Sequence, residues 1–534
     1  MTTKIQEKKL NLFSFGDING FLGLISDNMA NLSLATILLM SFGFPKEVIF
    51  AYVYPGIVLV ICLGNLIMTF LGVKLAKKFG RSDITAMPFG LDAPTTISMP
   101  LIVVGPLFVA LKNGGMDIHS AAILAWQGGM AAVFIIGAMK IIASPFSNKI
   151  AKIVPMAGLL GSLAGIGAMI GIFALTNIFS LPLIGIISLG FVLYILIAHI
   201  PFPKRLPGLL IGVVVCTVIY HVIGSLGISI TDYVMPTFNL SASFPIPTLG
   251  LLSGFKVMSP LLPAIIPFGI LVIIGDINVT VSAVDVGDPY KPKTILLIDG
   301  IVTLIGSFCG SITQTTAYAG QPAYKAMGSK MGYTLYIAIF MAVAGCLGIV
   351  TYIIELVPVA IFAPILIFVA IEIMAQGFSA VPKKHYVASA FAMFPSMMKP
   401  MLILLTGGSY IAFTKLLADS NAISSTYPES LVIAVLVNGF ILTGMLWGGL
   451  VAELIDRHLK KASVYLLILA VFSFFGVVHS VSLGGEMYLP WHLGLVPRTM
   501  CYQIAAGYLI LAIFIFIMSY TKTAKSILSN LGHE

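Results

Sequence analysis

The sequence predicts an all-α polytopic membrane protein built as an inverted-repeat transporter, and three observations lead there. Of 534 residues, 59% are hydrophobic and only 9% are charged, whereas soluble domains carry about 25% charged residues. Unbroken runs such as YLLILAVFSFF (465–475) and YLILAIFIFIM (508–518) exclude the roughly ten-residue alternating strands of a membrane β-barrel. Two membrane-length segments, ITAMPFGLDAPTTISMP (84–100) and ITQTTAYAGQPAYKAMG (312–328), carry Gly and Pro at their centres. Paired broken segments in two halves are a sequence pointer to an inverted-repeat transport site.

Apolar windows of about 20 residues fall near 21–43, 48–73, 88–111, 119–143, 153–175, 180–200, 207–226, 262–283, 294–312, 315–332, 333–356, 357–376, 385–416, 429–454, 462–483 and 501–520. Sixteen crossings with a cytoplasmic N-terminus place 22 of the 29 Lys and Arg residues in inside loops, among them Lys77, Lys78, Arg81, Lys140, Lys383 and Lys384. Outside loops hold five, and Lys325 and Lys399 stand apart, the latter after a stretch, 385–396, that reads as an interfacial helix. This bias supports the count and puts both termini in the cytoplasm of a cell-membrane protein. The expected organisation is a cytoplasmic segment 1–20, a first repeat 21–226, an extracytoplasmic loop 227–261, a second repeat 262–456, and two further spans with a tail over 457–534.

The same placement disposes of other classes. A net charge of +9 distributed over loops is topology, so no nucleic-acid partner is expected. The five cysteines lie in apolar segments without CxxC spacing, and His199 and His221 are isolated, so neither disulfides nor a metal site is indicated. No phosphate loop, HExxH or GxSxG is present, which argues against an ATP-driven pump or an enzyme, and no cofactor is expected. The first apolar run is too long for a cleaved signal peptide and is expected to remain as the first span.

Within this frame the stretch LVIIGDINVTVSAVDVGD (271–288) is the most informative. Asp276 interrupts an apolar span, and an intramembrane carboxylate is a functional candidate by default. It is a candidate both for substrate contact and for the coupling ion. Thr280 lies one turn on and shares its face. The broken segments read as extended halves followed by half-helices, with Asp92 before Pro94 and Gln321 before Pro322 as polar residues at the helix starts. Each of these two is either a cap or a site group. Gln321 can donate and accept together, and Phe89 and Tyr318 offer planar faces on the extended halves. Lys325 falls one turn into the second half-helix. There a cation beside two helix N-termini favours an anionic group, or pairs with Asp276. Asp27, Asn28 and Asn31 form a polar cluster in the first span, read mainly as interhelical hydrogen bonding. Asp285 and Asp288 read as helix-end groups, and Asp299 as opening the ninth span.

These segments resemble the nucleobase–cation symporter-2 superfamily, most closely its guanine/hypoxanthine/adenine permease branch. TTAYAGQPAYKAMGSKMGYT (315–334) is similar to that branch's TTTYIESAAGVAAGGRTGLT, sharing Thr315, Thr316, Tyr318, Ala323, Ala326, Gly328, Gly332 and Thr334. VPVAIFAPILIFV (357–369) resembles IPxxATAPALIxVG, and PFGLDA (88–93) resembles PGMGLNA. The resemblance covers residues 50–455 and implies a 7+7 inverted-repeat fold with core and gate domains, substrate lying between spans 3, 8 and 10. It also carries departures. The acid that the family places in span 8 is Val272 here, with Asp276 one turn further on. The ES pair of span 10 becomes Gly320 and Gln321, and Asp92 replaces an Asn.

The resemblance therefore implies a secondary permease for a purine-type nucleobase coupled to H⁺ or Na⁺. Its expected partners are the substrate, a coupling cation, the bilayer and, as an open alternative, a second copy in a homodimer. The rival is a sulfate- or bicarbonate-like anion transporter or exchanger on the same fold with Lys325 as anchor, since sulfate permeases, which resemble this fold, place an Arg near that point. A channel-like pore is a third reading.

Overall fold

Apolar composition makes helices here because the bilayer leaves backbone groups no partner outside the segment. The computed structural model describes residues 11–521 except 92, 148–155, 199, 201, 203–207, 229–232, 234, 237–241, 319, 380, 407–428 and 483–486. In chain order the elements are α1 (Gly16–Ser41), α2 (Tyr54–Phe79), β1 (Phe89–Leu91), α3 (Ala93–Ser98), α4 (Gly105–Asn113), α5 (Ile118–Ala143), α6 (Met156–Ser180), α7 (Pro182–Val192) and α8 (Gly208–Ser225). After the connecting α9 (Leu251–Met258) come α10 (Leu262–Asp285), α11 (Pro292–Phe308), β2 (Thr315–Ala317), α12 (Gln321–Ala326), α13 (Gly332–Phe340), α14 (Ile349–Leu356), α15 (Val359–Ser379), α16 (Tyr386–Thr406), α17 (Glu429–Val437) and α18 (Phe440–Ile455). The last two are α19 (Leu459–Phe474) and α20 (Leu495–Met518).

Local chemistry explains the helix ends. The Asp117 carboxylate accepts the amides of His119 and Ser120 at the start of α5, filling two of the four orphan donors of a helix N-terminus. Gly80, at φ 62°, ends α2 in the left-handed region, which glycine enters without penalty.

Among the described residues, nine helices are long and apolar enough to cross a membrane, or up to eleven with two bent pairs. The sixteen uniform windows are therefore corrected in several places. Window 333–356 breaks by 89° at Gly348, and window 429–454 by 71° at Gly439. Window 462–483 ends as a helix at Phe474, and of the stretch 385–396, expected as an interfacial helix, residues 386–396 begin the continuous α16. Hydropathy registers apolar length but not where a glycine lets the chain turn.

The helices pack as two groups. In one, α5 packs on α10 and α11, and α2 packs on α11 and α13. In the other, α6 is the hub for α7, α15, α16 and α18. Gly161 of α6 makes this possible: a Cβ there would sit 2.7 Å from the Cα of Ser389 in α16, the close approach that small residues allow between membrane helices. α1 touches both groups through α13 and α15, and α19 and α20 pair with each other, with α19 also against α18.

Candidate functional site

The two broken segments meet as a two-stranded antiparallel ladder, with Phe89 opposite Ala317, Gly90 opposite Thr316 and Leu91 opposite Thr315. A ladder this short inside an apolar bundle leaves edge groups that water cannot reach. Asn65 of α2 meets that need at one edge: its Nδ2 donates to the Phe89 carbonyl (2.6 Å) and its Oδ1 accepts the Phe89 amide (3.1 Å). Asn28 of α1 accepts the Leu91 amide at 2.9 Å. Beyond the strands the chain turns into α3 and α12, which leave from opposite ends of the antiparallel ladder.

At this junction lies a cavity of about 100 Å³ between the two helix groups. α1 contributes Asp27 and Asn31, α10 contributes Val272, Gly275, Asp276 and Val279, and β2 with its continuation contributes Thr316 and Tyr318. Leu163 of α6 and Val369 of α15 close it from the other group. The volume is well below the roughly 300–1,000 Å³ of drug-sized ligand pockets.

Asp276 is 1% exposed, and behind it lies a group that sequence reasoning missed. Lys140 of α5 and Asp299 of α11 are both fully buried. The Lys140 Nζ stands 2.9 Å from Asp276 Oδ2 and also forms an ion pair with Asp299 Oδ2. Thr316 Oγ1 donates to Asp276 Oδ1, and Thr303 Oγ1 donates to Asp299 Oδ1 at 3.2 Å. The Lys140 contact to Asp276 Oδ2 is close enough for an ion pair but lies outside hydrogen-bond angles, so that oxygen has no aligned donor. Two expectations are corrected here. Lys140 is not a loop cation, because α5 runs on to Ala143, and Asp299 lies mid-helix rather than at the start of α11. The one available signal was GAMKIIA (137–143), a single Lys flanked on both sides by apolar residues.

The remaining sequence candidates separate by place. Tyr318 lines the cavity, as does Asp27, whereas Asn28 serves the strand edge. Phe89 is fully buried and does not line the cavity. Its ring packs where Gly64 of α2 has no side chain, a Cβ there coming within 2.6 Å of Phe89 Cδ1. Thr280 turns back on its own helix, donating to the Asp276 carbonyl at 2.8 Å. Asp92 lies outside the described residues, and so does the Lys399 side chain.

Gln321 and Lys325 point to a different carboxylate. Gln321 Nε2 donates to Asp288 Oδ2 at 2.5 Å, and Lys325 forms an ion pair with Asp288 Oδ1 while donating to the Asp83 carbonyl at 3.1 Å. Asp288 is fully buried and also accepts the Thr85 amide at 3.3 Å. Burial pushes its carboxyl above the usual range, against the opposing pull of Lys325. The expected Asp276–Lys325 pair is thus replaced by Asp276–Lys140 and Asp288–Lys325, and Lys325 is not an anchor in this cavity. Nor is Gln321 an N-cap, because Gly320 holds that position and α12 has no side-chain cap. Among the described residues no His/Cys/Asp/Glu group could hold a metal ion.

No protein-family model and no curated protein sequence matches the chain. Solved structures do match its fold. A structure titled as murine Solute Carrier 26 family member A9, an anion transporter in the inward-facing state, superposes with TM-score 0.50 at 14% identity, over 76% of this chain and 69% of that one. A second structure of SLC26A9 gives 0.48 at 13% identity, over 76% of this chain and 66% of that chain. The transmembrane domain of the cyanobacterium bicarbonate transporter BicA gives 0.42 at 14%, over 73% and 98%. The implied membership of the nucleobase–cation symporter-2 superfamily, and with it the purine-permease reading, is corrected by the first of these structures, whose title names an anion transporter. What the likeness establishes is the architecture: a helical, 7+7 inverted-repeat transporter fold.

Proposed function

We propose that this chain is a secondary transporter for a small inorganic or carboxylate-type anion, with a cation or proton compensating charge at Asp276. The observation that carries the reading is the small cavity beside the ladder of the two broken segments, lined by a carboxylate that a buried ammonium counters. Asp27 and Asp276 in the same lining oppose a bare anion, so anion entry is favoured when positive charge enters too. That requirement separates a coupled transporter from an open pore. The fold's likeness to a structure named as an anion transporter supports the same class. Transport would proceed by movement of the α2–α5–α10–α11 group against the α6–α15 group, whose surfaces meet at the cavity. The division into repeats 21–226 and 262–456, a cell-membrane location with cytoplasmic termini, and Tyr318 as a contact to substrate belong to this proposal.

The test is uptake into proteoliposomes of labelled bicarbonate, sulfate, chloride and formate, with hypoxanthine as control. Saturable uptake of one anion is expected, falling more than roughly tenfold in Asp276→Asn or Thr316→Val, since a hydrogen bond to a charged group contributes about 1.5–3 kcal/mol. Anion flux that rises linearly without saturation, or that ignores both substitutions, refutes the reading.

A further inference from the structure

We propose that the coupling ion is a proton, and that it is held by the Asp276–Lys140–Asp299 triad as a unit rather than by Asp276 alone. This rests on the small-anion reading. Two carboxylates and one ammonium, none more than 1% exposed, carry a formal charge of −1 when all are ionised. An uncompensated charge in an apolar interior costs several kcal/mol, and two carboxylates sharing one site resist ionising together. One proton brings the triad to neutrality.

The geometry gives that proton an entry and a store. Asp276 lines the cavity and its Oδ2 stands 2.9 Å from the Lys140 ammonium, so a proton taken up by the Asp276 carboxyl lies next to the ammonium. Lys140 Nζ contacts Asp276 Oδ2 and Asp299 Oδ2 at once. Lys140 releases one N–H proton to Asp299 as it receives the proton from Asp276. One O–H bond breaks, one N–H forms, another N–H breaks and a second O–H forms. The net result is a neutral Asp299 carboxyl, with Asp276 still ionised against the ammonium. Asp299 does not line the cavity, so the proton is stored out of contact with the substrate. Lys140 and Asp299 are positioning residues in this scheme.

Other groups that face the triad are consistent with it. Across the cavity stand Asp27 and Tyr318, with Glu372 of α15 acting on Tyr318. The Asp288 carboxylate, just past the end of α10, is already matched by Lys325. None of these supplies a cation to the triad.

Two measurements test the proposal. In proteoliposomes, one proton per anion predicts accumulation of up to about tenfold per unit of pH gradient, with a proton flux that an entrapped pH dye reads. In Asp299→Asn the triad is neutral without a proton. Anion-for-anion exchange should persist, while pH-driven accumulation and the proton flux are lost, and Asp299→Glu should restore both. Accumulation that follows a Na⁺ gradient, or that survives in Asp299→Asn, overturns the proposal. Independently of any substrate, infrared spectra of the purified protein should show a protonated buried carboxylic C=O band at neutral pH. That band should vanish in Asp276→Asn and also in Asp299→Asn. Its absence from the wild-type protein, or its persistence in both variants, overturns the proton store even if anion transport is confirmed. If the band behaves as expected and no anion is carried, the small-anion reading fails instead.

Discussion

Replacing Lys140 by Met isolates the charge at the centre of the molecule. Met fills nearly the same volume as the lysine stem, so little cavity term is added, and what is lost is the ammonium between Asp276 and Asp299. Removing one partner of a buried ion pair costs about 3–5 kcal/mol, because the remaining charge stays buried without compensation. With one proton on the triad, one ionised carboxylate loses the ammonium that stood 2.9 Å from Asp276 and in contact with Asp299, so a cost within that range is expected near neutral pH. Neutral carboxylic acids need no counterion, so the loss should shrink as the pH is lowered. Lys140→Met/Asp299→Asn should be less destabilised than Lys140→Met alone, with a coupling of about 1–3 kcal/mol. The assay is thermal and denaturant unfolding of purified protein in one detergent, followed by tryptophan fluorescence across pH. A loss below about 1 kcal/mol, the range of solvent-exposed pairs, with no pH dependence, would show that the triad is hydrated and would refute this reasoning.

Three further outcomes follow from the packing around this site and beyond it. Asn65→Leu strips the Phe89 amide and carbonyl of their side-chain partners, leaving two buried backbone groups at about 1–3 kcal/mol each; a lowered melting temperature and weakened substrate binding are expected together. Gly56→Ala places a Cβ 2.2 Å from the Ser311 amide nitrogen, a backbone atom that cannot rotate away, so roughly 1–3 kcal/mol of overpacking should appear in the same melts. His479, after α19, bridges two helices: Nδ1 meets the Val435 carbonyl at 3.1 Å and Nε2 meets the Tyr508 hydroxyl at 2.9 Å. His479→Leu strips both buried groups of their partner, so a lower melting temperature is expected, a loss of about 1–3 kcal/mol, and an unchanged melt would refute the role of this bridge.

Much of the architecture was legible from composition, because a bilayer admits few backbone solutions and long apolar runs select the helix. The half-broken spans were legible as well, since Gly and Pro at the centre of PFGLDAP and YAGQPA cannot continue a helix. Asp276 stood out because charge in an apolar run carries a cost that some use must justify. Its partner did not stand out. A lysine near a helix end looks the same whether it snorkels to the surface or, like Lys140, points inward between α10 and α11.

Sequence alone determined that this chain spans a membrane, that it carries two Gly/Pro-broken segments, and that Asp276 interrupts an apolar span. Only the tertiary structure decided which charges neutralise which. Lys325 belongs to Asp288, while Asp276 shares Lys140 with Asp299. Periodicity places a residue on a face of its own helix, but ion pairing depends on which face of which distant helix packs opposite. Residues 140, 276 and 299 are far apart in the chain, and only the packing of α5, α10 and α11 brings them within reach of one another.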